Sequence, residues 1–173
     1  MHKFRKIKKN NICLIGFMGS GKSAIAKEMS KIYNLDFYDT DYEIEKKSGC
    51  DINHLFNNFG EQYFRNMEHQ VCADLLKNKD CVISLGGGSI INPSIRKLLK
   101  DYSFTIYLKV DLETLKRRLK SSKKRPLLND PNKIEIIQKL LKKKENFYNR
   151  ADLILENNFS KKELIKKINS SLI

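Results

Sequence analysis

The chain has 173 residues, 40% of them apolar and 31% charged, which fits one compact domain burying about two-thirds of its unfolded surface. No apolar run nears the roughly 18 residues needed to cross a bilayer, and the composition is globular rather than disordered or fibrous. With 34 Lys+Arg against 20 Asp+Glu the net charge is +14, a balance that attracts nucleic acid, anionic membrane or anionic small molecules without choosing among them.

Residues 1–10 read as a basic N-terminal arm and residues 11–173 as a single domain. The run Ile12-Cys13-Leu14-Ile15 ends at Gly16 and suits a buried parallel strand. It is too short for the apolar stretch of a secretion signal, so a cytoplasmic chain is expected. Helical spacing of Ile25, Met29 and Ile32 follows over residues 22–33, and a second short strand, Leu35-Asp36-Phe37-Tyr38, ends at Asp39. Residues 41–76 are helical with breaks at Gly49 and Gly60. Cys81-Val82-Ile83-Ser84-Leu85 is a third strand that runs into Gly86-Gly87-Gly88. Pro93 opens a helix at a favoured first-turn position. Residues 104–108 make a fourth strand, and Asp111 caps a helix to about Lys120. The polar stretch 121–132 reads as a mobile loop, followed by a helix over 133–148, a fifth strand over 153–155 and an amphipathic helix over 161–172. Alternating strands and helices indicate an α/β fold with a parallel sheet and helices on both faces. Of the four cysteines, Cys13, Cys72 and Cys81 have aliphatic neighbours, Cys50 does not, and none forms a C-x-x-C pair. Free, mostly buried thiols are expected rather than a metal site or disulfides.

Gly16-Phe17-Met18-Gly19-Ser20-Gly21-Lys22-Ser23 matches G-x-x-x-x-G-K-[ST] in full. Such glycines let backbone N–H groups turn around phosphate oxygens at the positive end of the following helix. Lys22 would lie along the β- and γ-phosphates, and the Ser23 hydroxyl would ligate Mg²⁺. Its place between a predicted strand and a predicted helix is the context that this mechanism needs, and predicts a nucleoside-triphosphate-binding protein. Asp39-Thr40-Asp41 follows the second strand at the same sheet edge. Two residues apart on an extended backbone, both carboxylates would point to one side, one toward metal and one toward an acceptor hydroxyl. Alternatively the segment is only a helix cap. The glycine triplet suggests close approach of the backbone to a ligand, since a plain turn needs one glycine at most. Arg65 has Glu68 three positions on, an arrangement that can hold a guanidinium for two-pronged capture of a carboxylate, or form a plain surface ion pair.

From residue 11 onward these segments together resemble the shikimate kinase family. The likeness rests on Gly16 to Ser23, Asp39-Thr40-Asp41, Phe56 with Gly60-Glu61, Phe64-Arg65 and Glu68, Leu85-Gly86-Gly87-Gly88, and Arg125-Pro126-Leu127-Leu128. It implies a P-loop NTPase-type fold with a five-stranded parallel sheet, substrate-binding helices over about 41–76 and a mobile lid over about 121–132. It further implies transfer of the γ-phosphoryl group of ATP, with Mg²⁺, to the 3-hydroxyl of shikimate. By position, Gly19, Ser20, Gly21, Lys22, Ser23, Ala24, Ile25 and Ala26 would bind ATP, with Arg118 stacking on adenine and Arg125 closing over the phosphates. Asp41 would hold the shikimate hydroxyls and take the proton. Arg65, Gly86, Gly87 and Gly88 would bind the substrate, and Asp39 would reach Mg²⁺. One departure stands out. The family's second carboxylate-binding Arg, four residues before a Tyr, is here Lys144 in Lys144-Glu145-Asn146-Phe147-Tyr148. Lys143 and Arg150 are its rivals if the register slips. Residues 157–161 also lack the adenine-packing Pro that the family often carries. The resemblance implies a monomer with no nucleic-acid or membrane partner. The competing readings are a related kinase for gluconate or a nucleoside monophosphate, and a basic nucleic-acid-binding ATPase; the latter lacks a basic stripe interleaved with aromatics, and Trp is absent.

Overall fold

The computed structural model describes residues 8–120, 133–158 and 160–172. Among these, five strands form one parallel sheet in the order β2-β3-β1-β4-β5: β1 Asn11–Ile15, β2 Asp36–Asp39, β3 Cys81–Ser84, β4 Ser103–Lys109 and β5 Leu153–Glu156. Helices α1 (Lys22–Tyr33), α2 (Thr40–Ser48), α3 (Ile52–Leu76), α4 (Pro93–Tyr102), α5 (Leu112–Lys120), α6 (Lys133–Tyr148) and α7 (Lys161–Leu172) connect and cover the strands. The lid expected over 121–132, with Arg125, lies outside the described residues, as does most of the N-terminal arm.

The central strand β1 is fully buried because helices cover both its faces, and its alternate side chains enter different cores. Ile12 and Leu14 pack with Ile25, Met29, Ile165 and Ile168 of α1 and α7. Cys13 and Ile15 pack with Ile83, Leu85, Tyr107 and the α3 residues Val71, Cys72 and Leu76. The thiols of Cys13, Cys72 and Cys81 are buried as expected, while Cys50 is partly exposed. Burial pushes the Cys81 thiol up to about 12, which keeps it neutral.

Local features partly depart from the sequence reading and partly follow it. The second strand begins at Asp36 rather than Leu35, because Asn34 in the left-handed region (φ 54°) ends α1 and the Leu35 N–H donates to Ser30 O at 2.9 Å. Leu35 thus closes the helix, as a C-terminal cap motif requires. Gly49 (φ 73°) ends α2, and Gly60 (φ 80°, ψ 169°) kinks α3, at the two expected breaks. A 3-10 turn at Ser89–Ile91 follows the glycine triplet and is too short to have left a periodic signal.

Candidate active site

In a parallel sheet of this kind ligands bind beyond the carboxyl ends of the strands. Here that edge holds a cavity of about 310 Å³ lined by Gly19, Gly21, Lys22, Ser23, Ala24, Asp39, Asp41, Ser84, Gly86 and Gly87 among others. The loop from β1 to α1 needs its glycines for two separate reasons. Gly16 (φ 149°), Gly19 (φ 77°) and Gly21 (φ 86°) all have positive φ, and a Cβ on Gly16 would in addition stand 2.8 Å from Leu108 O. Lys22 opens α1, and its Nζ donates to Gly16 O at 2.9 Å and Phe17 O at 3.1 Å. Ala24 faces the cavity, but the side chains of Ile25 and Ala26 are buried against the sheet.

Ser23 Oγ donates to Asp39 Oδ2 at 2.5 Å and lies 3.2 Å from Ser84 Oγ. The other Asp39 oxygen accepts from Asp41 N at 3.1 Å and Tyr42 N at 3.4 Å. Asp39 therefore does both things the sequence allowed: it caps α2 and faces the phosphate loop. Asp41 reaches the same cavity by another route than the one expected. The strand stops at Asp39, so Asp41 projects from the first turn of α2, not from an extended chain. Its Oδ1 sits where a Cβ on Gly86 would be only 2.6 Å away.

The glycine triplet is steric in origin. None of the three has positive φ, yet added Cβ atoms would stand 2.6 Å from Asp41 Oδ1, 3.3 Å from Gly16 O and 2.8 Å from Arg65 Nη1 in turn. The missing side chains make room for functional groups of the site itself. Arg65 is held on two sides: Nη1 donates to Glu68 Oε2 at 2.8 Å, and Nε and Nη2 to Glu61 Oε1 at 3.3 Å. Burial alone would lower its pKa, but the hydrogen bonds and charges of Glu68 and Glu61 raise it, so it stays cationic. Glu68 is buried and also accepts from Ser89 Oγ at 2.7 Å. The Arg65 pair is thus tied into the 3-10 turn, more than a surface ion pair.

Of the three cations considered for the second anion contact, Lys144 alone is buried, while Lys143 and Arg150 are exposed. Lys144 Nζ donates to Gly87 O at 2.9 Å, and Tyr148 OH donates to the same oxygen at 2.8 Å. On the far side of the loop, Arg118 Nη1 donates to Gly19 O at 3.3 Å and Nη2 to Asn157 O at 3.0 Å. Sequence reasoning singled out the neighbourhood of Asn157 only for a missing Pro. The buried Asn157 side chain donates to Ser20 O at 2.6 Å.

A glycine loop between a buried strand and a helix, a lysine at the helix start, and a hydroxyl–carboxylate pair beside it define a P-loop phosphotransferase. Comparison with known proteins narrows the class. The family model described as shikimate kinase matches residues 18–172, and the chain belongs to that family. It is 40% identical over 154 residues to a shikimate kinase of Bartonella henselae, covering 89% of this chain and 73% of that protein. It is 38% identical over 170 residues to one of Francisella tularensis subsp. novicida, covering 96% and 97%. The solved shikimate kinase of Acinetobacter baumannii, in complex with shikimate, superposes with a TM-score of 0.87 at 31% identity, covering 95% of each chain.

Proposed function

We propose that this chain transfers the γ-phosphoryl group of ATP to the 3-hydroxyl of shikimate, yielding shikimate 3-phosphate and ADP on the route to chorismate and the aromatic amino acids. Family membership supports the activity. The observation that carries it is the convergence of a phosphate loop, Asp41 and the glycine triplet on one cavity, with the Arg65 guanidinium packed against Gly88 at the end of that triplet. A phosphoryl donor, an acceptor hydroxyl and an acceptor carboxylate would each meet a group of suitable charge. An ADP-release assay with shikimate, gluconate and nucleoside monophosphates as acceptors tests it; turnover with another acceptor but not shikimate would overturn it.

In this assignment the loop N–H groups and Lys22 bind the phosphates, with Arg118 beside the nucleotide and Arg125 closing over it. Ser23 Oγ and Asp39 are hard oxygen donors at 2.5 Å from each other, a set that suits Mg²⁺ sharing its remaining positions with phosphate and water. The ion would neutralise charge on the transferring group. Asp41 orients the 3-hydroxyl and accepts its proton as the O–P bond forms, and Arg65 grips the carboxylate. Little covalent work is left to the protein, so positioning and electrostatics dominate. The same reading makes the chain a cytoplasmic monomer binding neither nucleic acid nor membrane. No described helix is long and apolar enough to cross a membrane.

Lys144 is assigned a second, weaker contact to the carboxylate, made from the position where it holds Gly87 O. A lysine keeps the charge but not the fork of an arginine. Lys144→Ala is expected to raise the shikimate KM about tenfold, the equivalent of about 1.4 kcal/mol, and Lys144→Arg to lower it. Steady-state kinetics checks this, and no change in either variant would remove the assignment. Gly88→Ala probes the other contact. Its Cβ would fall 2.8 Å from Arg65 Nη1, so the arginine tip, 36% exposed, must shift. Displacing it by about 1 Å is expected to raise the shikimate KM by about ten- to a hundredfold, with ATP KM little changed and a lowered melting temperature, since the same shift loosens the pair with buried Glu68. An equal rise in both KM values would count against the placement of Arg65.

A further inference from the structure

The loop after β5 crosses behind the phosphate loop. Asn157 is anchored there by its own backbone, its N–H donating to Lys109 O at 2.7 Å and its carbonyl accepting from Arg118. Its buried side-chain amide then donates to Ser20 O at 2.6 Å, across 137 positions of sequence. The carbonyls of Gly16, Phe17, Gly19 and Ser20 each accept from a named donor: Lys22 for the first two, Arg118 and Asn157 for the last two. Lys22 lines the cavity and is assigned to the phosphates, whereas Asn157 is neutral and lies outside the cavity lining. A trans peptide is planar, with its C=O and N–H pointing in opposite directions. Drawing Ser20 O toward Asn157 therefore turns the Gly21 N–H to the opposite side, and Gly21 lines the cavity. The left-handed Gly21 (φ 86°) permits this peptide orientation, and a Cβ there would crowd Asn157 Nδ2 at 3.1 Å.

We infer that Asn157 is a positioning residue for phosphate binding: its amide holds the Ser20–Gly21 peptide so that the Gly21 N–H faces the nucleotide phosphates. This rests on the reading of the loop as a nucleotide site. Calorimetric titration of the full chain, Asn157→Ala and Asn157→Leu with ADP, inorganic tripolyphosphate and shikimate tests it. Both variants remove the donor without adding charge, and Leu preserves the bulk should Ala fail to melt cooperatively. Losing one buried hydrogen bond and its orientation is expected to weaken tripolyphosphate and ADP by about ten- to a hundredfold, with shikimate affinity held within about twofold. Unchanged tripolyphosphate affinity would overturn the inference, including the case where only ADP weakens, since that would mean contact with the base. An equal loss for shikimate would also overturn it, as general damage. A wild-type chain that binds ADP but not tripolyphosphate would do the same, because the loop would supply no phosphate affinity to organise. A wild-type chain that binds neither would instead remove the nucleotide reading itself.

Discussion

Asp41→Asn is expected to lower kcat by about a hundred- to ten-thousandfold, the range that a positioned general base supplies. The substitution is close to isosteric, so the fit against Gly86, where a Cβ would be 2.6 Å away, is preserved. The cap of α2 also survives, because Asp39 receives backbone N–H groups of Asp41 and Tyr42, not the Asp41 side chain. The melting temperature should therefore stay near that of the parent. Shikimate KM should rise far less than kcat falls, because the amide can still hydrogen-bond a substrate hydroxyl but cannot take its proton. Steady-state kinetics in both substrates separates these effects. A kcat within about tenfold of the parent would take the base role away from Asp41.

Much of this site was legible because its parts carry distinct local signals. The phosphate loop is a contiguous pattern, and its strand and helix flanks follow from one apolar run and one helical period. Arg65 and Glu68 are three positions apart on a helix, a spacing that predicts contact and is met at 2.8 Å. Reasons were less legible than residues. Asp39 and Asp41 share a cavity because a strand ends and a helix begins between them, and a boundary of one residue lies below what side-chain periodicity resolves. The glycine triplet suggests close approach to a ligand, but the groups that crowd it in the structure come from residues 16, 41 and 65, contacts that only the folded chain creates. The contact of Asn157 with the loop gave no signal: a single polar residue after an edge strand has no period, and its partner, Ser20, is remote in sequence. What could have drawn attention to it is position, since it follows the last strand at the edge where the loop after β1 lies.

The net charge of +14 acquires a narrower meaning in the same way. Cations such as Lys116, Lys139 and Lys161 pair with Glu113, Glu135 and Glu28 on the surface, contacts of little energetic weight. Lys22 is instead buried in the lining of the cavity and Lys144 is buried against Gly87 O, and lower dielectric strengthens the interaction of such cations with anions. A general basic surface attracts anionic substrates over long range, while these few placed cations would bind them.

Lys22 is the cation whose loss should matter most. Lys22→Met keeps the stem buried beneath the loop and removes only the ammonium group. The expected result is a fall in kcat/KM for ATP of about a thousandfold or more, comparable to removing a charged group that stabilises a transferring phosphoryl. ADP affinity should fall much less, because the loop N–H groups remain and charge on the γ-phosphoryl oxygens matters most in the transition state. A second effect acts on the free enzyme. Lys22 Nζ donates to Gly16 O and Phe17 O, so the variant takes a donor from both buried carbonyls, of which Phe17 O keeps the Ser20 N–H at 3.2 Å, at a cost of about 1–3 kcal/mol. The two effects can be told apart. Thermal unfolding without ligand reports the carbonyl term, and turnover at saturating ATP, where ground-state binding no longer limits, reports the transition-state term. A variant that melts lower but turns over within about tenfold of the parent would make Lys22 a structural prop of the loop; a variant with little change in melting and a collapsed kcat would place its charge on the reacting phosphate.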